Sequence, residues 1–150
     1  MKREKILENL KSQVKNGSHI IGVATSSGVT AKYSQNGGAD FLLILNSGRF
    51  RQMGRSSLAG FLPFCNSNDM VMKFVSREIL PLVKDIPIIF GLNATDPTKD
   101  LENYIDEIKN MGVDGINNYP TVGLIDGQFS QALEEDGDSY SIEVEAIKIA

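Results

Sequence analysis

Apolar residues recur along this chain with two alternating periods. Ile6, Leu7, Leu10 and Val14 fall at helical spacing among charged residues, which predicts an amphipathic opening helix ended by Asn16-Gly17. His19-Ile20-Ile21-Gly22-Val23-Ala24 is a β-branched run that reads as a strand buried on both faces. Thr25-Ser26-Ser27-Gly28 then turns into a short helix through Ala31 and Tyr33, stopped at Asn36-Gly37-Gly38, and ADFLLILN supplies a second strand. Met70, Val71, Phe74, Val75 and Ile79 mark a helix that Pro81 helps to close. Ile86 to Leu92 is a third strand, and Asp96 or Thr98 is placed to cap a helix carrying Leu101, Tyr104, Ile105, Ile108 and Met111 up to Gly112. A fourth strand covers Val113 to Asn118. A long polar loop then leads to a last helix begun near Asp138 or Ser139 and carrying Ile142, Val144, Ala146 and Ile147.

Helix first, then strand and helix four times over, is the sequence form of a parallel sheet, because each right-handed crossover needs a helix. The fold class expected is α/β, in one domain over residues 1–150. The helix-to-strand connections are short, whereas the strand-to-helix connections are long, glycine-rich and polar. In parallel sheets, open or closed, function is built at the carboxyl ends of the strands, so the elaborate loops fall on the functional face.

Composition narrows the partners. With 41% hydrophobic and 23% charged residues and a net charge of -4, the 150-residue chain is an ordinary globular domain with no basic patch for nucleic acid or a membrane surface. A small anionic metabolite or a protein is the expected partner. Cys65 stands alone, which fits a reducing compartment, and no apolar run reaches the ~20 residues of a membrane span. The expected location is the cytoplasm.

The runs IIGVATSSGVTAK, GGADFLLILNSGRFRQMGRSSLAGFLPF, GLNATDP and NNYPTVGLIDGQFSQALEEDG, spread over nearly the whole chain, resemble the phosphoenolpyruvate hydrolase-like family, also called TIM-barrel signal transduction proteins. The resemblance implies a (β/α)8-type barrel, related in fold to phosphoenolpyruvate mutases and isocitrate lyases. It also implies one of two roles: an enzyme acting on a small phosphorylated or carboxylated oxo acid, or a non-catalytic sensing or interaction module. A complete barrel takes ~250 residues and eight strands, and four units are about half of it. Such a half-barrel leaves two sheet edges open, so the expectation is a homo-oligomer in which the fourth strand of one copy approaches the first of another. A flattened sheet covered otherwise, or a fragment, are the alternatives.

Chemistry concentrates in the strand-to-helix loops. Between Asp40 and Asp69 there is no carboxylate, and Arg49, Arg51 and Arg55 stand there beside Asn46, Ser47, Gly48 and Gly54. Guanidinium forks and approachable backbone N–H groups suit an anion; pairing with Asp96, Asp126 or Glu134, or simple solvation, is the alternative. Ser27 sits at a strand-to-helix turn, where it is a helix cap or a phosphate contact. Asp96, before Pro97, is a general base or a ligand for a hard cation such as magnesium, or else a cap. Asp126 is a second carboxylate for catalysis or the first residue of an Asp-Gly turn. The acidic run Glu134-Glu135-Asp136 is a solvated face or donates one carboxylate inward. Asn117, Asn118, Tyr119 and Thr121, at the end of the fourth strand, are placed to orient a ligand carbonyl or hydroxyl. His19 lies at the opposite end of its strand, which excludes a histidine-based triad, and Cys65 reads as an incidental thiol.

Overall fold

The computed structural model describes all of residues 1–150 and contains one sheet of four parallel strands in the order β1-β2-β3-β4: Gly22–Thr25, Phe41–Ile44, Ile88–Leu92 and Gly115–Asn118. Sequential order with a helical crossover at every step is the half-barrel arrangement, and the expected α/β class holds. The register aligns Ala24 with Leu43, Leu43 with Ile89, and Ile89 with Gly115.

Burial alternates along the strands as the pleat demands. Leu42, Ile44, Ile88, Phe90 and Leu92 are buried against the helical layer, where Val71, Phe74, Val75, Ile79, Ile105 and Ile108 meet them. Phe41, Leu43 and Ile89 are only half-buried on the other face, and Gly22 and Ala24 are exposed. Phe41 lies across Gly22 so closely that a Cβ there would stand 2.4 Å from the ring.

The helices are α1 (Arg3–Lys15), α2 (Gly28–Asn36), α3 (Asn46–Gln52), α4 (Ser67–Phe74, continued by a π-helical turn Val75–Ile79), α5 (Leu101–Met111), α6 (Gly127–Asp136) and α7 (Tyr140–Ile149). Helix α1 lies under the amino ends of the strands. There Gln13 donates to Asp40 (2.6 Å) and the N-terminal ammonium pairs with Asp114, which also accepts from the Ile88 N–H (3.0 Å). None of the helices is long and apolar enough to cross a membrane.

Four expectations need correction. The first strand begins at Gly22, not His19, and is not buried on both faces: as an edge strand it has a neighbour on one side alone, and Ile20 and Ile21 are exposed. The arginine stretch is not an open loop, for residues 46–52 form α3. Neither Asp96 nor Thr98 caps α5; Asp100 does, accepting from the Asn103 N–H at 3.0 Å. The polar loop after β4 contains a 3-10 turn, Val122–Leu124, and all of α6, a helix with no buried residue whose short apolar spacing, Phe129, Ala132 and Leu133, is set among polar residues. The last helix starts as expected, with Ser139 as its cap.

Candidate functional site

The carboxyl ends of β3 and β4 open into a cleft of about 720 Å3. One wall is polar and carries Asn66, Ser67, Asn93, Asp96 and Thr98; the other is apolar, with Phe61, Phe64, Pro120 and Phe129. No lysine or arginine lines it, and Asp96 is its one carboxylate.

Asp96 is buried where two asparagines reach it, Asn66, the N-cap of α4, and Asn68 in its first turn. Its Oδ2 accepts from Asn66 Nδ2 (2.7 Å) and Asn68 Nδ2 (2.9 Å), and its Oδ1 accepts from the Thr98 N–H (2.9 Å) and Thr98 Oγ1 (2.6 Å). Burial pushes the carboxyl upward, but these four donors outweigh it and hold Asp96 below the usual aspartate value. Asn66 also caps α4, its Oδ1 taking the Asp69 N–H. Asn68, fully buried, donates to the Asn93 carbonyl and accepts the Asn93 N–H, both at 2.9 Å, so that a side-chain amide closes the end of β3 as a neighbouring strand would.

A divalent cation of the magnesium type needs several uncommitted oxygen donors. Asp96 has none to spare, and no group of three or more histidine, cysteine or carboxylate side chains is gathered for a metal. The residues present do not fit that ion.

On the other side of the cleft the segment after β4 is held from beneath by Glu143 of α7. This carboxylate, 1% exposed, accepts from Asn118 Nδ2 (2.6 Å), Thr121 Oγ1 (2.6 Å) and the Val122 N–H (2.7 Å). The bond fixes the Asn118 amide with its Oδ1 turned away, buried and without a partner. Tyr119 packs edge-on against Phe61 at 5.2 Å, behind the cleft wall. A second cavity, about 490 Å3, lies between this segment and α6–α7, and Glu134 and Asp138 line it.

The expected anion loop is dispersed. Arg49 turns into the helical layer, paired with Glu78 at 2.6 Å and lying over the Phe74 ring at 5.1 Å. Pairing with an acid was the alternative to anion recognition, and for Arg49 the acid is Glu78 of the π-helical turn rather than Asp96, Asp126 or Glu134. Arg51 reaches Ser57 (3.3 Å) and Arg55 is exposed, so the three guanidinium groups do not converge on the cleft. Asn46 is a brace: its Nδ2 donates to the Gly60 carbonyl (2.8 Å) and its Oδ1 accepts the Ser47 N–H (2.7 Å). Gly48 lets α3 lie on Ser26, where a Cβ would meet Oγ at 2.8 Å. Ser47 is buried with its hydroxyl unpartnered. Ser27 caps α2, accepting from the Thr30 N–H (3.4 Å) and from Gln52 Nε2 (2.9 Å). Asp126 is exposed at the start of α6, outside the cleft, and its side chain makes no cap bond. Cys65 is at the rim, its thiol pushed up by burial and so poorly ionised near neutrality.

Of the expected residues, the structure therefore brings Asp96 and Thr121 to one cleft, with Asn118 and Tyr119 behind its wall. Sequence reading missed Asn66, Asn68 and Glu143. The asparagines carry a legible signal, a polar NSND cluster just before an apolar helix. Glu143 had a fainter one, its place between Ile142 and Ala146 in the last helix's apolar pattern.

Comparison with known proteins agrees with this architecture. The chain is 45% identical over 149 residues to the ToMV resistance protein Tm-1(GCR237) and, equally, to the ToMV susceptible protein tm-1(GCR26), both of Solanum lycopersicum; 99% of this chain and 20% of each relative are covered. It is 37% identical over 149 residues to y4pA, a candidate transcriptional regulatory protein of Sinorhizobium fredii (strain NBRC 101917 / NGR234), covering 99% of this chain and 24% of that one. The chain thus spans about a fifth to a quarter of the length of these curated relatives. Residues 5–150, which include every strand, the cleft and its bracing asparagines, match the Phosphoenolpyruvate hydrolase-like profile, and the chain belongs to that family.

Proposed function

We propose that this domain binds a small polar metabolite in the cleft above β3 and β4 without transforming it, as a ligand-sensing module. The observation that carries the reading is the state of Asp96: the cleft's one carboxylate is saturated by four donors, so no spare base faces the space. What remains is recognition by hydroxyls and amides against an apolar wall, which is how a binding pocket orients a ligand. The names of the relatives, a virus-resistance protein and a candidate regulator, are consistent with a binding role. The lone thiol of Cys65 suits the cytoplasm.

A second reading, turnover of a phosphorylated or carboxylated oxo acid, is favoured by the position of the cleft at the carboxyl ends of parallel strands and by the family's description. One experiment separates them. Thermal unfolding is followed with phosphoenolpyruvate, pyruvate and a neutral three-carbon analogue, with and without magnesium, while phosphate release is assayed. Binding without turnover raises the melting temperature and releases no phosphate. The shift survives Arg49→Ala, because Arg49 is committed to Glu78, and is weakened in Ser67→Ala, because the buried Ser67 hydroxyl lines the cleft and has no partner within the protein. Phosphate release would replace the sensing reading with the enzymatic one; no shift with any compound would overturn both.

A further inference from the structure

Building on the sensing reading, on which this depends, we propose that the ligand of the cleft above β3 and β4 is an uncharged aromatic ring that carries a carbonyl. The ring lies on Phe64 and the carbonyl oxygen is received at the amino end of α4.

On the polar wall the carboxylate is spent while several donors are free. Asp96 is filled by its four donors, and the amides of Asn66 and Asn68 are committed to it and to backbone groups. Helix α4 begins in this wall. The N–H groups of Ser67 and Asn68, the first two of the helix, have no acceptor within it, and the Asn66 cap takes only the third, that of Asp69. Beside them the Ser67 hydroxyl, in a residue 7% exposed, lines the cleft and meets no partner in the protein. Asn93 Oδ1 accepts the Thr95 hydroxyl (3.1 Å), and its Nδ2 remains a donor on the same wall. A buried hydroxyl left unpaired is costly, and a ligand oxygen set against it and the helix end removes that cost.

That oxygen belongs to a neutral group. Free N–H groups at a helix end suit an anion as well, but the one charge lining the cleft is the Asp96 carboxylate, and no lysine or arginine faces it. A carboxylate or phosphate would enter against that charge without a counter-ion, whereas a carbonyl takes the same donors free of the repulsion.

The apolar wall fixes the rest of the molecule. Phe64 and Phe129 both line the cleft yet are 67% and 63% exposed, so much of each ring is uncovered. Phe64 is backed by Phe50, whose ring centre is 6.2 Å away, and is thereby held as a platform. A cleft of about 720 Å3 has the size of pockets that enclose molecules larger than a three-carbon acid, which would leave these rings wet. A planar ring covers them.

Isothermal titration calorimetry with benzamide, benzoate and acetamide tests this, because benzoate replaces the neutral amide by a charge and acetamide keeps the amide without the ring. Benzamide is expected to bind, and benzoate and acetamide each to bind about tenfold more weakly or worse. Phe64→Ala weakens benzamide about tenfold while circular dichroism is unchanged, because the side chain is on the surface; Phe64→Leu, which keeps apolar area but loses the ring, recovers only part. Ser67→Ala weakens it several-fold. Benzoate binding as tightly as benzamide, acetamide doing so, or benzamide binding indifferent to both the Phe64 and Ser67 substitutions would overturn the proposal. Binding of pyruvate or phosphoenolpyruvate by a chain that ignores benzamide would also overturn it and leave the sensing reading standing, whereas no binding of any of these compounds would end both.

Discussion

Two buried carboxylates organise the cleft, and they do so as acceptors rather than as reagents. Asp96 gathers four donors from Asn66, Asn68 and Thr98, so Asp96→Ala strands the fully buried Asn68 amide and the half-buried Asn66 amide and should cost about 1–3 kcal/mol in urea unfolding. Its folded value lies below the ordinary aspartate value of ~3.9. The stabilisation is therefore fully present above pH ~4 and lost as pH falls through the lower folded value, and Asp96→Asn should flatten that acid limb of a stability-against-pH profile. Glu143 does the same for Asn118, Thr121 and Val122. Glu143→Leu should lower stability by about 2–4 kcal/mol, whereas Glu143→Gln, which keeps one acceptor oxygen, should cost less; differential scanning calorimetry on both variants decides it.

Among the elements, α3 shows how packing overrides propensity. Glycine in a helix is ordinarily worth ~0.5–1 kcal/mol less than alanine, so exchange at an exposed site stabilises. At Gly48 the sign should reverse, by about 1–3 kcal/mol, because the added Cβ would stand 2.8 Å from Ser26 Oγ and 3.3 Å from the Thr25 backbone. Ser26 Oγ has no hydrogen-bond partner, so Ser26→Ala alone should cost little and should recover part of the loss in the double variant. A strictly additive double-mutant cycle would show that the contact is not the cause. The same helix explains where the arginines went. With residues 46–52 wound into α3, Arg49 is carried into the helical layer beside Phe74 and Glu78 instead of out over the strand ends.

For the whole molecule, a four-stranded parallel sheet with helices on one face leaves the other face half-buried and two edges unpaired. A chain that associates through those edges shows an unfolding midpoint that rises with protein concentration, whereas a midpoint independent of concentration marks an isolated folding unit. The regional imbalance of charge, lysines at the β1 end and carboxylates at the β4 end, sums to a net -4 that by itself hides it.

The sequence alone determined the alternation of helix and strand, the parallel class and the family. Those rest on local periodicity and long ordered motifs, which need no knowledge of what lies across the fold. Tertiary structure decided the rest. The strand's start at Gly22 and the winding of the arginine stretch into α3 each depended on which neighbours were present, not on the residues' own pattern. The site changed for the same reason. A hydrogen bond from Asn68 to Asp96 spans 28 residues and one from Asn118 to Glu143 spans 25, so whether a carboxylate is a poised base or a satisfied brace is settled by donors that only the folded chain brings within reach.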